Sequence, residues 1–244
     1  APVTHAEKGE PRVSQIQERA ESQTRVGGID LAIVANPASA VAEAYRSLRS
    51  TVKFARFEPA VRSLAIADAG TGGQHTDVAA NLAAALALGG DSVVLVDADF
   101  RRPRAHELFR LSNDTGLAEW LAAGDAEAPL PLIESGVDGL TLLPAGHAGK
   151  TGGTLPADLL GSNLFARLLA RLRDEAAFVV VNTPPLPDFG DALAVAPRVD
   201  AVLLLVRSGK TKRAAAQRAR ESLDRVGARL LGVVLTDTGS RRRA

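Results

Sequence analysis

Residues 65–83 constrain the fold of this 244-residue chain more than any other stretch. Ala65-Ile-Ala-Asp68 is a short apolar run, Gly70, Thr71, Gly72 and Gly73 make a glycine-rich turn, and an alanine-rich helix opens near Gln74. A strand that feeds a helix through a tight turn is the first half of a βαβ unit. Such a turn also brings unpaired backbone N–H groups and the positive end of a helix dipole together, which favours a bound anion.

The rest of the chain repeats the alternation. Apolar strands are expected at 63–68, 92–97, 140–143, 178–181, 201–206 and 230–235. Helices are expected at 75–88, 104–111, 116–122, 163–175 and 211–226. Strands spaced this way imply right-handed crossovers and a parallel, doubly wound α/β sheet with helices on both faces. Hydrophobic residues make up 46% of the chain but aromatics only 4%, so the core is aliphatic, as such a sheet needs. Functional groups in these sheets lie at the carboxyl ends of strands. Asp68, Asp97, Asp99, Asn182 and Thr236 all fall there.

One domain is expected over residues 31–238, with a flexible polar arm at 1–30 and a basic tail at 239–244 that contains Arg241, Arg242 and Arg243. A net charge of +1 argues against a nucleic-acid partner. There is no cysteine, which excludes disulfides and thiolate metal sites. No apolar run approaches the roughly 18 residues of a membrane span, and the first residues lack the hydrophobic block of a signal peptide. The expected setting is cytoplasmic.

Between residues 38 and 54 the pattern is helical, with Ala40, Ala44, Leu48, Val52 and Ala55 at helical spacing behind Pro37 and Ser39. Glu43, Arg46 and Arg49 recur every three residues on another face. From spacing alone they are either a solvated face, with Glu43 and Arg46 paired, or a contact surface. Tyr45, the sole tyrosine, is expected to pack within this helix, and Trp120 is a core or interface anchor. His5, His106 and His147 show no metal-ligand spacing.

The loop at 70–76 has the layout of a P-loop, whose consensus ends Gly-Lys-Ser/Thr. Here those three positions are Gln74, His75 and Thr76. With Asp97-Ala-Asp-Phe-Arg-Arg-Pro103, the run 178–182 ending in Asn182, Leu142-Leu-Pro-Ala-Gly146, Thr183-Pro-Pro185 and Gly232-Val-Val-Leu235, it resembles the Walker A, A′ and B set of the bacterial tyrosine kinases. These are cytoplasmic kinase domains of capsule and exopolysaccharide export, in the same P-loop branch as the MinD and ParA ATPases. The resemblance covers about residues 31–236. It implies that Glu43, Arg46 and Arg49 match a Glu-x-x-Arg-x-x-Arg motif through which subunits form a homo-oligomeric ring. It also implies docking on cytoplasmic segments of a membrane polysaccharide co-polymerase, hence recruitment to the inner face of the cell membrane.

The match fails where chemistry is expected. His75 stands at the lysine that stabilises β and γ phosphates, and Gln74 puts a side chain where a glycine lets the backbone approach them. Asn182 replaces a magnesium-orienting aspartate, and Thr236 an asparagine that the family places near adenine. The tail after Thr236 carries no tyrosine to phosphorylate. Gly70, Gly72, Gly73, Gln74, His75, Thr76 and Thr236 therefore read as the remnant of a nucleotide site. Asp97 and Asp99 read as remnants of the catalytic set, and Thr76 and Asp97 as ligands only if magnesium binds. No cofactor is assigned; ATP, ADP and magnesium are expected to bind weakly at best. The expected function is a catalytically impaired tyrosine-kinase homologue that scaffolds or regulates polysaccharide synthesis and export. The alternative is an active tyrosine kinase or ATPase with a non-standard loop.

Overall fold

The computed structural model describes residues 29–58, 60–188 and 190–237. The arm, apart from Ile29 and Asp30, and the basic tail lie outside the described residues. Ile29 is buried, and the Asp30 N–H donates to the Leu108 carbonyl at 2.9 Å, so both belong to the packed body.

Seven strands form one sheet: β1 (Ser63–Asp68), β2 (Val93–Asp97), β3 (Ile133–Glu134), β4 (Leu140–Leu143), β5 (Phe178–Asn182), β6 (Ala201–Arg207) and β7 (Leu230–Thr236). Their order is β3-β4-β2-β5-β1-β6-β7. Every pair is parallel except β3 with β4, which is antiparallel at the edge. The parallel doubly wound sheet is as the sequence implies; β3 escapes notice there because two residues carry no period.

The buried strands are apolar on both faces, and alternate residues feed two separate cores. Leu64, Ile66, Leu95 and Val180 point to one face. There they meet α1 (Ala32–Ala35), α2 (Ala40–Lys53), α3 (His75–Ala87) and α4 (Ala105–Phe109). Ala65, Ala67, Val96 and Val181 point to the other. That face is covered by α5 (Leu117–Ala123), α6 (Pro156–Gly161), α7 (Asn163–Glu175), α8 (Asp191–Val195) and α9 (Arg213–Arg225). Trp120 is buried in this second core, and its indole N–H donates to the Ala128 carbonyl at 3.2 Å. α1, α6 and α8 are too short to show a period in the sequence.

Every residue of α3 except Asp77 is buried. Its alanines let the helix lie close over the centre of the sheet, directly behind the loop. Ser39 caps α2, accepting from the Ala42 N–H at 3.1 Å. The buried face of α2 differs from the expected stripe: Ala42 and Val52 are buried and Tyr45 and Leu48 half-buried, while Ala40 and Ala44 are exposed. Turning in the large Tyr45 ring hides more apolar area than two alanines would, and that sets the rotation. Burial, with a smaller push from Asp77, raises the Tyr45 phenol to about 12. Among the described residues no helix is long and apolar enough to cross a membrane.

Candidate functional site

The glycine turn leaves β1 in the middle of the sheet, at the carboxyl ends of the strands. Asp68 anchors it: its Oδ1 accepts from the Gly70 N–H at 2.8 Å. Burial raises the Asp68 carboxyl above its ordinary range in spite of that bond. Gly73 has φ +71, a conformation that side chains disfavour. A Cβ on Gly72 would lie 3.0 Å from Nη1 of Arg207, so the turn packs against the end of β6.

The β2–β5 register sets Asp97 beside Asn182. The Asn182 amide Nδ2 donates to Asp97 Oδ1 at 2.8 Å and to Thr76 Oγ1 at 3.2 Å. Asp97 also accepts from the Asp99 N–H at 3.2 Å and the Ala105 N–H at 3.1 Å. Full burial nevertheless pushes its carboxyl up to about 6, with Asp99 adding to the rise. His75 opens α3 with its ring buried, and Nε2 donates to Asp99 Oδ2 at 2.9 Å. The N–H groups of Arg101 and Arg102 bond the other Asp99 oxygen at 3.1 and 3.0 Å. Burial opposes the Asp99 charge, but the His75 and backbone donors outweigh it and hold the carboxyl below its usual range.

His75, Thr76, Asp97, Asp99 and Asn182, scattered over residues 75–182, thus form one buried hydrogen-bonded network. Two of its atoms, His75 Nδ1 and Asn182 Oδ1, are buried with no hydrogen-bond partner among the described residues. In front of it opens a cleft of about 170 Å³, floored by Gly73, His75 and Thr76 and rimmed by Arg101, Arg102 and Arg104. Arg101 is bidentate to buried Asp191 on α8, at 2.9 and 3.2 Å, which ties the rim to the second core.

This arrangement binds its own groups. A lysine at the head of α3 would extend a charge toward a ligand; the His75 ring instead turns inward to Asp99. The two candidate magnesium ligands fit a cation poorly, because Thr76 Oγ1 and Asp97 Oδ1 both accept from the Asn182 amide. Among the described residues there is no group of three His, Cys, Asp or Glu that could hold a metal ion.

Thr236 ends β7 on the other side of the turn. It lines a groove of about 780 Å³ with Gln74, Val41, Tyr45, Val234 and Leu235. Beside it is a pairing that sequence reasoning missed. Asp237 Oδ1 accepts from Gln74 Nε2 at 2.7 Å, while its Oδ2 takes a short bond from Arg207 Nε. The position of Arg207, at the carboxyl end of β6, was the available signal.

Glu43, Arg46 and Arg49 on α2 lie away from this network, and each has a partner within the chain. Arg46 Nη1 donates to Glu43 at 3.0 Å and Arg46 Nη2 to the Pro37 carbonyl. Arg49 Nη1 donates to the Ala85 carbonyl at 3.1 Å, near the far end of α3.

No protein-family model matches the chain. It is 32% identical over 201 residues to the tyrosine-protein kinase YwqD of Bacillus subtilis, covering 82% of each chain. With the putative tyrosine-protein kinase CapB of Staphylococcus aureus it shares 29% over 199 residues, 82% of this chain and 85% of that one. It matches the tyrosine-protein kinase Etk of Escherichia coli at 31% over 215 residues, 88% of this chain but only 29% of Etk. Among solved structures, the kinase domain of Etk aligns with a TM-score of 0.77 at 32% identity, over 84% of this chain and 78% of that one. The chimerical protein CapA2B2 aligns with a TM-score of 0.77 at 30% identity, over 89% and 97%. MinD from Pyrococcus horikoshii, at 20% identity and a TM-score of 0.60 over 71% and 69%, shares the P-loop fold. The chain belongs to the bacterial tyrosine-kinase family.

Proposed function

We propose that this protein is a family member in which phosphoryl transfer is impaired and assembly retained, an oligomerising scaffold or regulator of capsule or exopolysaccharide synthesis. The observation that carries the reading is the inward pairing of His75 with Asp99 at 2.9 Å. Phosphoryl transfer is catalysed mainly by positioning and by charge placed around the phosphates. Here the residue at the head of α3 is committed to a carboxylate, and an amide at Asn182 holds the groups that would face magnesium. A kinase of Klebsiella pneumoniae named for a cps region, 28% identical over 206 residues, supports the polysaccharide setting. The face of α2 that carries Glu43, Arg46 and Arg49, with exposed Val41 and Ala44 beside them, is the surface assigned to ring formation. The ring docks on cytoplasmic segments of a membrane co-polymerase and so works at the inner face of the membrane.

A specific observation favours the alternative, an active kinase. Asp97 and Asp99 both stand at the strand end behind the loop, and the cleft beside them is rimmed by arginines. Calorimetric titration with ATP and ADP, with and without magnesium, separates the two. The expected result is no magnesium-dependent heat at hundreds of micromolar nucleotide. Tight magnesium-dependent binding, with turnover that the Asp97→Ala variant loses, would establish the kinase instead.

A further inference from the structure

Charge is unevenly divided along this chain. Residues 207–244 hold eleven Lys and Arg against three Asp and Glu, a balance of +8. The first 206 residues hold 18 against 25, a balance of −7, and the two together give the net +1. The basic part is also one place in the fold, because β6, α9 and β7 make up one edge of the sheet. Some of its cations are engaged. Arg207 is paired with Asp237, Arg220 lies 3.6 Å from Asp224, and Arg229 stands over the Phe57 ring. Lys210, Lys212 and Arg213 are exposed, and none of them makes a side-chain hydrogen bond or ion pair among the described residues.

Their placement works against the helix. Lys212 is the N-cap of α9 and Arg213 its first residue, and the first turn holds no acid. The positive end of the helix dipole disfavours cations there. The turn that carries them is pinned: the Thr211 N–H donates to the Arg207 carbonyl at 2.9 Å, and the Arg207 N–H to Thr211 Oγ1 at 3.0 Å. The Ser208 N–H donates to the Thr236 carbonyl at 2.9 Å, so β7 ends beside the same turn. The seven residues after Asp237 include Arg241, Arg242 and Arg243, and they reach at most about 25 Å from that point.

We propose that this corner binds an anionic lipid bilayer directly, through Lys210, Lys212 and Arg213 together with Arg241, Arg242 and Arg243. A cluster of about four to eight Lys and Arg suffices for attraction to anionic headgroups. Residues 207–244 contain no aromatic side chain on which a base could stack, which favours a lipid surface over a single-stranded nucleic acid. A negative surface attracts this corner and repels the remainder of the chain, so the contact also selects one orientation. The inference goes beyond the proposed docking on a co-polymerase, because lipid alone is enough for it.

The test is co-sedimentation of the full chain with vesicles of phosphatidylcholine, pure or with about one third phosphatidylglycerol. At low salt the chain is expected to bind the anionic vesicles and not the neutral ones, and about 1 M salt is expected to release it. Lys210→Gln, Lys212→Gln and Arg213→Gln combined are expected to weaken binding about a hundredfold, and Arg241→Gln, Arg242→Gln and Arg243→Gln combined by a similar factor. Arg56→Gln, Arg110→Gln and Arg167→Gln combined remove as much charge at exposed positions elsewhere, and this variant is expected to bind within about twofold of wild type. The first of these variants is expected to melt no lower than wild type, since it takes cations away from a helix N-terminus, so its lost binding is not unfolding. No binding to either vesicle, equal binding to both, full binding by either of the first two variants, or an equal loss in the third overturns the proposal. Tighter binding to a random-sequence oligonucleotide than to the anionic vesicles at the same salt also overturns it and makes the partner a nucleic acid. Failure on vesicles leaves the scaffold reading and its protein partner untouched. Magnesium-dependent turnover would overturn that reading and leave the vesicle result standing.

Discussion

Asp97 is fully buried and accepts three hydrogen bonds, yet its carboxyl is raised to about 6. The donors do not compensate for lost hydration, and the neighbouring Asp99 charge adds to the cost. A carboxylate whose folded pKa exceeds the unfolded value of about 3.9 is penalised while charged. Its favourable contribution is complete below the unfolded value and is lost as pH rises through about 6. Wild type is therefore expected to gain about 1 kcal/mol of stability relative to Asp97→Asn between pH 7 and pH 5. Urea unfolding of both proteins at the two pH values measures it; parallel changes would show that Asp97 is not raised. Asp99 shifts the opposite way and is present in both proteins, so the comparison isolates Asp97.

At the scale of elements, the tightest contact lies where the head of α5 meets the chain leaving β4. Glu119 accepts from the N–H groups of Gly116 at 3.0 Å and His147 at 2.9 Å. The backbones of Gly116 and Gly146 then approach so closely that a Cβ on Gly116 would stand 2.3 Å from both Gly146 N and Pro144 O. Backbone cannot step aside as a flexible side chain can. Gly116→Ala is expected to cost about 3 kcal/mol, a fall in Tm of about 10 °C, whereas Gly149→Ala, with open space at its Cβ, stays close to wild type. Differential scanning calorimetry checks the pair. The elements themselves were legible wherever they were long: β1, β2, β5 and α3 announce themselves through unbroken apolar runs, a glycine turn and acids at strand ends. The rotation of α2 was not, because Ala40 and Ala44 fit the helical period as well as Ala42 and Tyr45 do. Which set turns inward is decided by the larger apolar area that the Tyr45 ring hides against the core. The Gln74–Asp237 bond joins residues 163 positions apart, and no local pattern links them.

At the scale of the whole molecule, ring assembly through α2 is the property to measure. Exchanging the charges as Glu43→Arg with Arg46→Glu keeps a pair three residues apart on the helix while reversing what a neighbour meets. Such pairs set register and partner more than affinity. The exchange is expected to lower the mass seen by light scattering and leave the melting temperature within a few degrees; an unchanged mass would remove α2 from the interface. Wild-type mass is expected to be the same with and without ATP. One bond described above bears on how strong such a ring can be. Arg49 is already engaged with the Ala85 carbonyl, so a neighbour that recruits it must take it from α3. Association through this arginine, as proposed, is then a trade of one hydrogen bond for another, and the net count does not change. What remains to drive it is exposed apolar surface, Val41 and Phe54 at the two ends of α2 and Leu235 on β7 among it. A few apolar side chains with no net gain in hydrogen bonds hold copies together best when they are already crowded, so the proposed ring would form where a membrane partner gathers the chains and dissolve when they disperse.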